Sequence, residues 1–259
     1  MNRFTDGSAG DADYGIIGKG YALIRQPDPR IARQFHAALG DATTVLNVGA
    51  GAGSYEPLDR AVTAIEPSAS MRAERPPHLS RAIDATADHL PFPDDAFDAS
   101  MASVTVHQWP DLEKGLGEMR RVTTGPVVIL TFDPTPPEHW WLIDYAPELF
   151  EVEARRMPQI DRIGAALGGS TEVQTVMIPT DSTDGFGQAF FGRPERVLDP
   201  EVRRAMSAWS FLDPRLVESI TEKLSSDLAS GAWDEKYGEF RDLTEFDGGM
   251  RLVVGHPAS

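Results

Sequence analysis

Apolar residues along the chain follow two periods, one suited to helices and one to buried strands. In "DPRIARQFHAAL" Ile31, Phe35, Ala38 and Leu39 recur at helical spacing, and Asp28 with Pro29 supplies a cap and a first helical position. From Val45 short apolar runs take over, and "TTVLNVGA", "AVTAIEPS", "FDASMASVT" and "GPVVILTFD" each read as a strand. Between the last two, "DLEKGLGEMRRV" sets Leu112, Leu116 and Met119 on one helical face. This alternation predicts an α/β fold in which crossover helices wind a parallel sheet. Beyond "TFDPTPPEHWW" the pattern loosens into an aromatic-rich helical stretch to Leu167 and then the strand-like "TEVQTVMIP". Residues 181–246 read mostly as helices punctuated by Pro194, Pro200 and Pro214, and "MRLVVGH" closes the chain as a strand.

Composition narrows the class of partner. The 259 residues are 41% hydrophobic and 25% charged, ordinary for a soluble globular domain. Forty acidic residues against 24 basic ones give a formal net charge of −16, which disfavours nucleic acid and anionic membranes and leaves a small molecule as the expected partner. Cysteine is absent, so disulfides, thiolate metal sites and cysteine nucleophiles are excluded together. The polar start "MNRFTDGSAGDADYG" has no apolar core of signal length, and no segment nears the ~18 apolar residues of a membrane span, so a cytoplasmic location is expected. No clustered His, Asp and Glu set at ligand spacing is found, and no metal is expected.

The candidate chemistry begins at "VLNVGAGAGSYEP", where Gly49, Gly51 and Gly53 alternate directly behind the first strand. A dinucleotide fingerprint needs G-x-G-x-x-G, and that third position falls on Ser54, so the spacing is G-x-G-x-G. Glu66 ends the second strand, where such folds grip ribose hydroxyls. "ATADHLPFPDDAFDAS" and "VHQWPDLEKGLGEMRRV" follow in order.

Taken together, from Val45 to Asp133, these motifs resemble the class I S-adenosylmethionine-dependent methyltransferases, specifically the broad type 11 group of quinone and small-molecule methyltransferases. The resemblance implies a Rossmann-like doubly wound sheet, seven-stranded and mostly parallel with an antiparallel last strand, plus N-terminal lid helices and a helical insert. One domain over residues 1–259 then divides into a lid and helix (14–40), a cofactor core (43–133), a helix and late strand (134–180), an insert over the acceptor (181–246) and a final strand (250–256). It also implies S-adenosylmethionine as cofactor, S-adenosylhomocysteine as product, and a small, partly apolar methyl acceptor, with O-, C- and N-methylation all open.

Residue by residue, the resemblance takes Gly49, Gly51 and Gly53 past the methionine part of the cofactor, with Ala50 between them. Glu66 would hold the ribose and Met71 the adenine face, with Pro67 beside them; Thr86, Ala87 and Asp88 would cover the adenine edge, and Val104 completes the set. Asn47 stands where the family usually has an acid, so one negative charge near the cofactor's amino group is missing; tighter cofactor binding on Asn47→Asp would confirm the loop. Upstream, "YGIIGKGYALIRQPDPRI" is similar to the lid of a subset of these enzymes: Arg25 could pair with the cofactor carboxylate, and Tyr14 and Tyr21 could lie over the sulfonium. Transfer in line from a sulfonium rests mainly on alignment. If a base is needed, His107 after the third strand and His139 after the fourth are the candidates. The alternatives are a silent S-adenosylmethionine-binding regulatory protein and a nicotinamide-dependent oxidoreductase.

Overall fold

The computed structural model of the chain describes residues 21–258. A short helix, α1 (Tyr21–Ile24), leads to α2 (Pro29–Ala38), where Asp28 accepts from the Arg30 amide, Pro29 stands in the first turn and Ile31 and Phe35 turn inward. The expected cap and apolar face both form.

The described strands are β1 (Thr44–Val48), β2 (Ala61–Ile65), β3 (Ala99–Ser103), β4 (Val127–Phe132), β5 (Ser170–Thr175), β6 (Ile178–Pro179), β7 (Glu245–Phe246) and β8 (Met250–His256). Six of them make the main sheet in the order β2-β1-β3-β4-β8-β5, in which β8 alone runs against its neighbours. The antiparallel last strand is as expected; the strand count is six and not seven. Beyond β2 the sheet ends in one parallel bridge, Ile83 opposite Ile65. The segment there is exposed around Ile83 and follows Pro76 and Pro77, so it offers no apolar run to extend the pairing.

Side chains alternate across the sheet as strand geometry requires. Val45, Val128 and Leu130 face one layer with α2, while Leu46, Val127 and Ile129 face the other. The short α3 (Ala69–Ala73) follows β2. The second layer holds α4 (Leu112–Arg121) and α7 (Ile160–Leu167), and the pair α5 (Trp141–Tyr145) and α6 (Pro147–Arg156) packs on the first face. Leu112, Leu116 and Met119 are all buried, as their spacing predicts.

Pairing of β6 with β7 brings Ile178 opposite Phe246 and so joins the two ends of the segment between them. Within it lie 3-10 turns and α8 (Pro200–Arg204), α9 (Pro214–Ser230), α10 (Ala232–Tyr237) and α11 (Glu239–Asp242). Its core is continuous with that of the sheet: Trp141 meets Trp233 edge to face at 5.7 Å. No helix among the described residues is long and apolar enough to cross a membrane.

Candidate active site

The sheet reverses its winding between β1 and β3, the place where open α/β sheets bind ligands at their carboxyl ends. A cavity of about 960 Å³, counting its open mouth, lies there. Gly49 and Gly51 turn the chain through φ of +68° and +52°, a region that favours glycine. A side chain at Gly49 would collide with Thr105. The Gly51 amide donates to Glu66 Oε2 and the Ser68 amide to Glu66 Oε1, each at 2.8 Å. Glu66 is therefore the brace of the loop as well as a ligand candidate. Burial pushes its carboxyl above the ordinary value, and the two amides pull it back.

Of the expected cofactor set, Asn47, Gly49, Ala50, Gly51, Glu66 and Pro67 line this cavity. Met71, Thr86, Ala87, Val104 and Arg25 line it too. Gly53 does not, although its φ of +97° and the Leu79 side chain packed against it explain why glycine stands there. Asp88 sits next to lining residue Ala87, and its Oδ1 is buried with no partner among the described residues. Tyr14 lies outside the described residues, as does the side chain of Tyr21.

Asn47, 1% exposed at the tip of β1, donates its Nδ2 to Glu56 Oε1 at 3.0 Å. A carboxylate only accepts, so the amide must present its NH₂ to Glu56 and its oxygen elsewhere. That oxygen, Oδ1, is buried and unanswered among the described residues, in a residue lining the cavity. Glu56 is in turn held by Arg75, whose Nη2 reaches both carboxylate oxygens at 2.8 and 2.9 Å; the two side chains are 1% and 4% exposed. The donor set fits the cofactor implied by the resemblance: an acceptor oxygen for an amino group, a carboxylate for ribose hydroxyls and Met71 for an adenine face.

A second cavity of about 740 Å³, open in part to solvent, shares Val104 and Arg25 with the first. Val104 has φ of +49°, unusual for a β-branched residue and the kind of strain that collects at functional sites. Arg25 donates Nε to Asp184, which is 2% exposed and also accepts from the Tyr55 hydroxyl at 2.9 Å. Burial and that carboxylate push the Tyr55 phenol far above its ordinary value, so the hydroxyl stays protonated and donating. His107, on a 3-10 turn (Val106–Gln108) after β3, lines the second cavity. His139 does not: it is exposed, with φ of +60°, in a separate hollow beside Asp144 and Lys236. Most of the second cavity is apolar, with Phe132, Trp140, Phe150, Phe186 and Trp209 in its wall.

Glu56, Arg75, Asp184 and Thr105 are the residues that sequence reasoning missed. Glu56 alone carried a visible signal, since it follows the glycine loop by three residues and lies close to the departing Asn47.

Comparison with known proteins agrees with this geometry. The family profile for the type 11 "Methyltransferase domain" matches residues 46–127. A solved structure described as "Putative methyltransferase from antibiotic biosynthesis pathway" of Anabaena variabilis ATCC 29413 is 33% identical, with a TM-score of 0.83 over 90% of this chain and 98% of that one. Among curated proteins, an uncharacterized methyltransferase of Bacillus subtilis (strain 168), YcgJ, is 31% identical over 105 residues, 36% of this chain and 42% of that protein. Demethylmenaquinone methyltransferase of Thermus thermophilus is 42% identical over 65 residues, 24% of this chain and 30% of that protein. The chain thus spans less than half the length of the curated relatives that it matches.

Proposed function

The chain belongs to the class I S-adenosylmethionine-dependent methyltransferases of the type 11 group, and on that footing we propose that it methylates a small, partly apolar acceptor. The observation that carries this reading is the pair of cavities meeting at Val104 and Arg25. One has the donor set for the cofactor; the other is apolar and opens onto the same wall.

S-adenosylmethionine, when bound, supplies an electrophilic methyl group on sulfur. Glu66 would hold the ribose hydroxyls, Met71 the adenine face, the Thr86–Asp88 segment its edge and Asn47 Oδ1 the amino group. A cofactor carboxylate at Arg25 would share the guanidinium with Asp184. The lid residues Tyr14 and Tyr21 remain candidates for covering the sulfonium. The insert, residues 181–246, gives the acceptor cavity Phe186 and Trp209, which exclude water and align the acceptor. His107 is the group available there to accept a proton from an acceptor hydroxyl. His139, exposed in its own hollow, loses ground as a base. A cytoplasmic site of action accords with a chain that has no cysteine.

The test is release of S-adenosylhomocysteine across a panel of phenols, quinones, amines and small acids, alongside calorimetry with S-adenosylhomocysteine and NAD. Turnover with at least one acceptor is expected, and His107→Ala should lower it by about tenfold or more for a hydroxyl acceptor, within the range of general-base effects. Tight cofactor binding with no transfer to any acceptor would instead mark a silent binding protein.

A further inference from the structure

The two edges of the main sheet are built differently. Beyond β2 the Ile65–Ile83 bridge and a segment carrying Pro76 and Pro77 blunt one edge. At the other end β5, Ser170–Thr175, pairs with β8 alone. The Val176 amide donates to the Met250 carbonyl at 3.0 Å, so in this antiparallel register Gln174 and Glu172 also bond toward β8, opposite Leu252 and Val254. The backbone N–H and C=O groups of Thr171, Val173 and Thr175 therefore point away from the sheet, and they meet no partner among the described residues. Such a row is a template for another strand, and exposed edges ordinarily carry a lysine, a proline or a bulge that prevents pairing. The sequence STEVQT has neither residue, and its register with β8 is unbroken. Val173 is 49% exposed.

The strand itself says what fits that edge. Residues 171–175 read TEVQT, which reversed is TQVET: the two directions differ only by exchange of Glu with its isostere Gln. Antiparallel pairing of two copies about an axis at Val173 sets Val173 against Val173, Thr171 against Thr175 and Glu172 against Gln174. All the outward-facing residues then meet as hydrogen-bonded pairs, each exchanging two backbone bonds, and like threonine and β-branched pairs favour a sheet. Gln174 donates to Glu172 of its own strand at 2.9 Å, and its second amide hydrogen serves the Glu172 across the seam. A register shifted to centre on Glu172 would oppose two carboxylates. Charge favours the same surface: each copy carries a net −16, and β5 brings a single charged side chain to the contact.

We propose that β5 is the seam of a homodimer, in which two antiparallel β5 strands join the six-stranded sheets of two copies into one. β4 and β8 separate the seam from the crevice between β1 and β3. The seam is short beside the ~1,200 Å² of a stable interface, so the dimer is reversible.

Sedimentation equilibrium of the full chain between about 5 and 500 µM, the range suited to so small an interface, should show monomer and dimer in exchange. Val173→Pro removes an outward N–H and no bond to β8, and Val173→Lys sets two ammonium groups on the axis. Each should weaken association by about tenfold or more while circular dichroism shows the fold kept. Cross-linking reads the register, because the chain has no cysteine of its own. With oxidised glutathione Val173→Cys should give a disulfide-linked dimer, since the opposed α-carbons lie about 5.5 Å apart. Glu172→Cys and Gln174→Cys should not, because each would sit diagonally from its own copy, beyond the ~7 Å limit for a disulfide. Three results would overturn the proposal: a chain monomeric throughout, which leaves the edge to a strand of another protein; association that both Val173 variants leave intact; or cross-linking at 172 or 174 as fast as at 173.

Discussion

Replacing Asn47 by Asp, which restores the acid usual at the tip of the first strand, should damage this protein. The reason is Glu56, whose Oε1 lies 3.0 Å from Asn47 Nδ2 in a space where both side chains are buried. An Asp would set a carboxylate oxygen at that distance. Two ionised carboxylates there repel by about 5 kcal/mol at an effective dielectric of ~20. Holding a proton on one of them at neutral pH, some three pH units above an ordinary carboxyl, costs about 4 kcal/mol. Protonation is the cheaper route, so the pair takes up a proton and the loss is capped near that figure. Arg75, which already bonds both Glu56 oxygens, lowers it further, leaving about 2–4 kcal/mol. The sign with pH follows. The variant's folded state has a raised carboxyl pKa and holds a proton that its unfolded state releases, so the deficit against wild type is largest above the raised value. It shrinks by about 1.4 kcal/mol per unit as pH falls toward the ordinary carboxyl range. Urea unfolding at about pH 5 and pH 7, followed by tryptophan fluorescence, measures the deficit, and calorimetry with S-adenosylhomocysteine measures the site. The double variant Asn47→Asp/Glu56→Gln exchanges acid and amide and should recover most of the loss. An Asn47→Asp protein as stable as wild type at neutral pH, or one binding the cofactor product more tightly, would refute the reasoning.

Two other substitutions test the same wall. Glu66→Gln offers one acceptor oxygen to two donating amides, those of Gly51 and Ser68, and should weaken S-adenosylhomocysteine binding by about tenfold or more. Because burial raises the Glu66 carboxyl, wild-type affinity should fall on acidification through that raised value while this group's contribution to the stability of the empty protein rises; affinity that is flat with pH would count against a ribose role. At Val104, φ of +49° reverses the usual ranking of substitutions. Val104→Gly should be more stable than Val104→Ala by about 1 kcal/mol, since Ala loses the methyl groups yet keeps the strain; thermal melts of the two variants decide the order.

Much of the fold was legible because burial on both faces of a parallel sheet forces apolar runs, and crossover helices force a helical period between them. Leu112, Leu116 and Met119 fall on the buried side of α4 for that reason. The missing seventh strand was not legible, because the one residue that pairs there, Ile83, is exposed and its neighbours carry no period. Position after a strand likewise proved a partial guide for the histidines. His107 follows β3 closely enough to stay at the sheet's edge, whereas His139 comes after three prolines and a left-handed turn that carry it to the surface.

The placement of Gly49, Gly51 and Glu66 around one cavity could be read in advance because it is local: each stands beside the backbone of the same loop. Charge is different, since what matters is the sum over side chains brought together by folding. Asn47 looks like a lost acid when strand and loop are read alone. Beside Glu56, nine residues on, it is one half of an acid and amide pair, and Arg75, nineteen residues further, neutralises the acid. An acid at position 47 would then be a second negative charge on one guanidinium. The amide keeps the strand tip neutral, and its bond to Glu56 commits the NH₂ and leaves the oxygen as the unused acceptor. On the proposed reading, the site would hold the cofactor's amino group by the amide oxygen, with the full charge set further back on the Glu56–Arg75 pair. Such an arrangement should bind a cationic amino group less dependently on salt than a carboxylate at the tip would, because the charge that could be screened is buried and already paired.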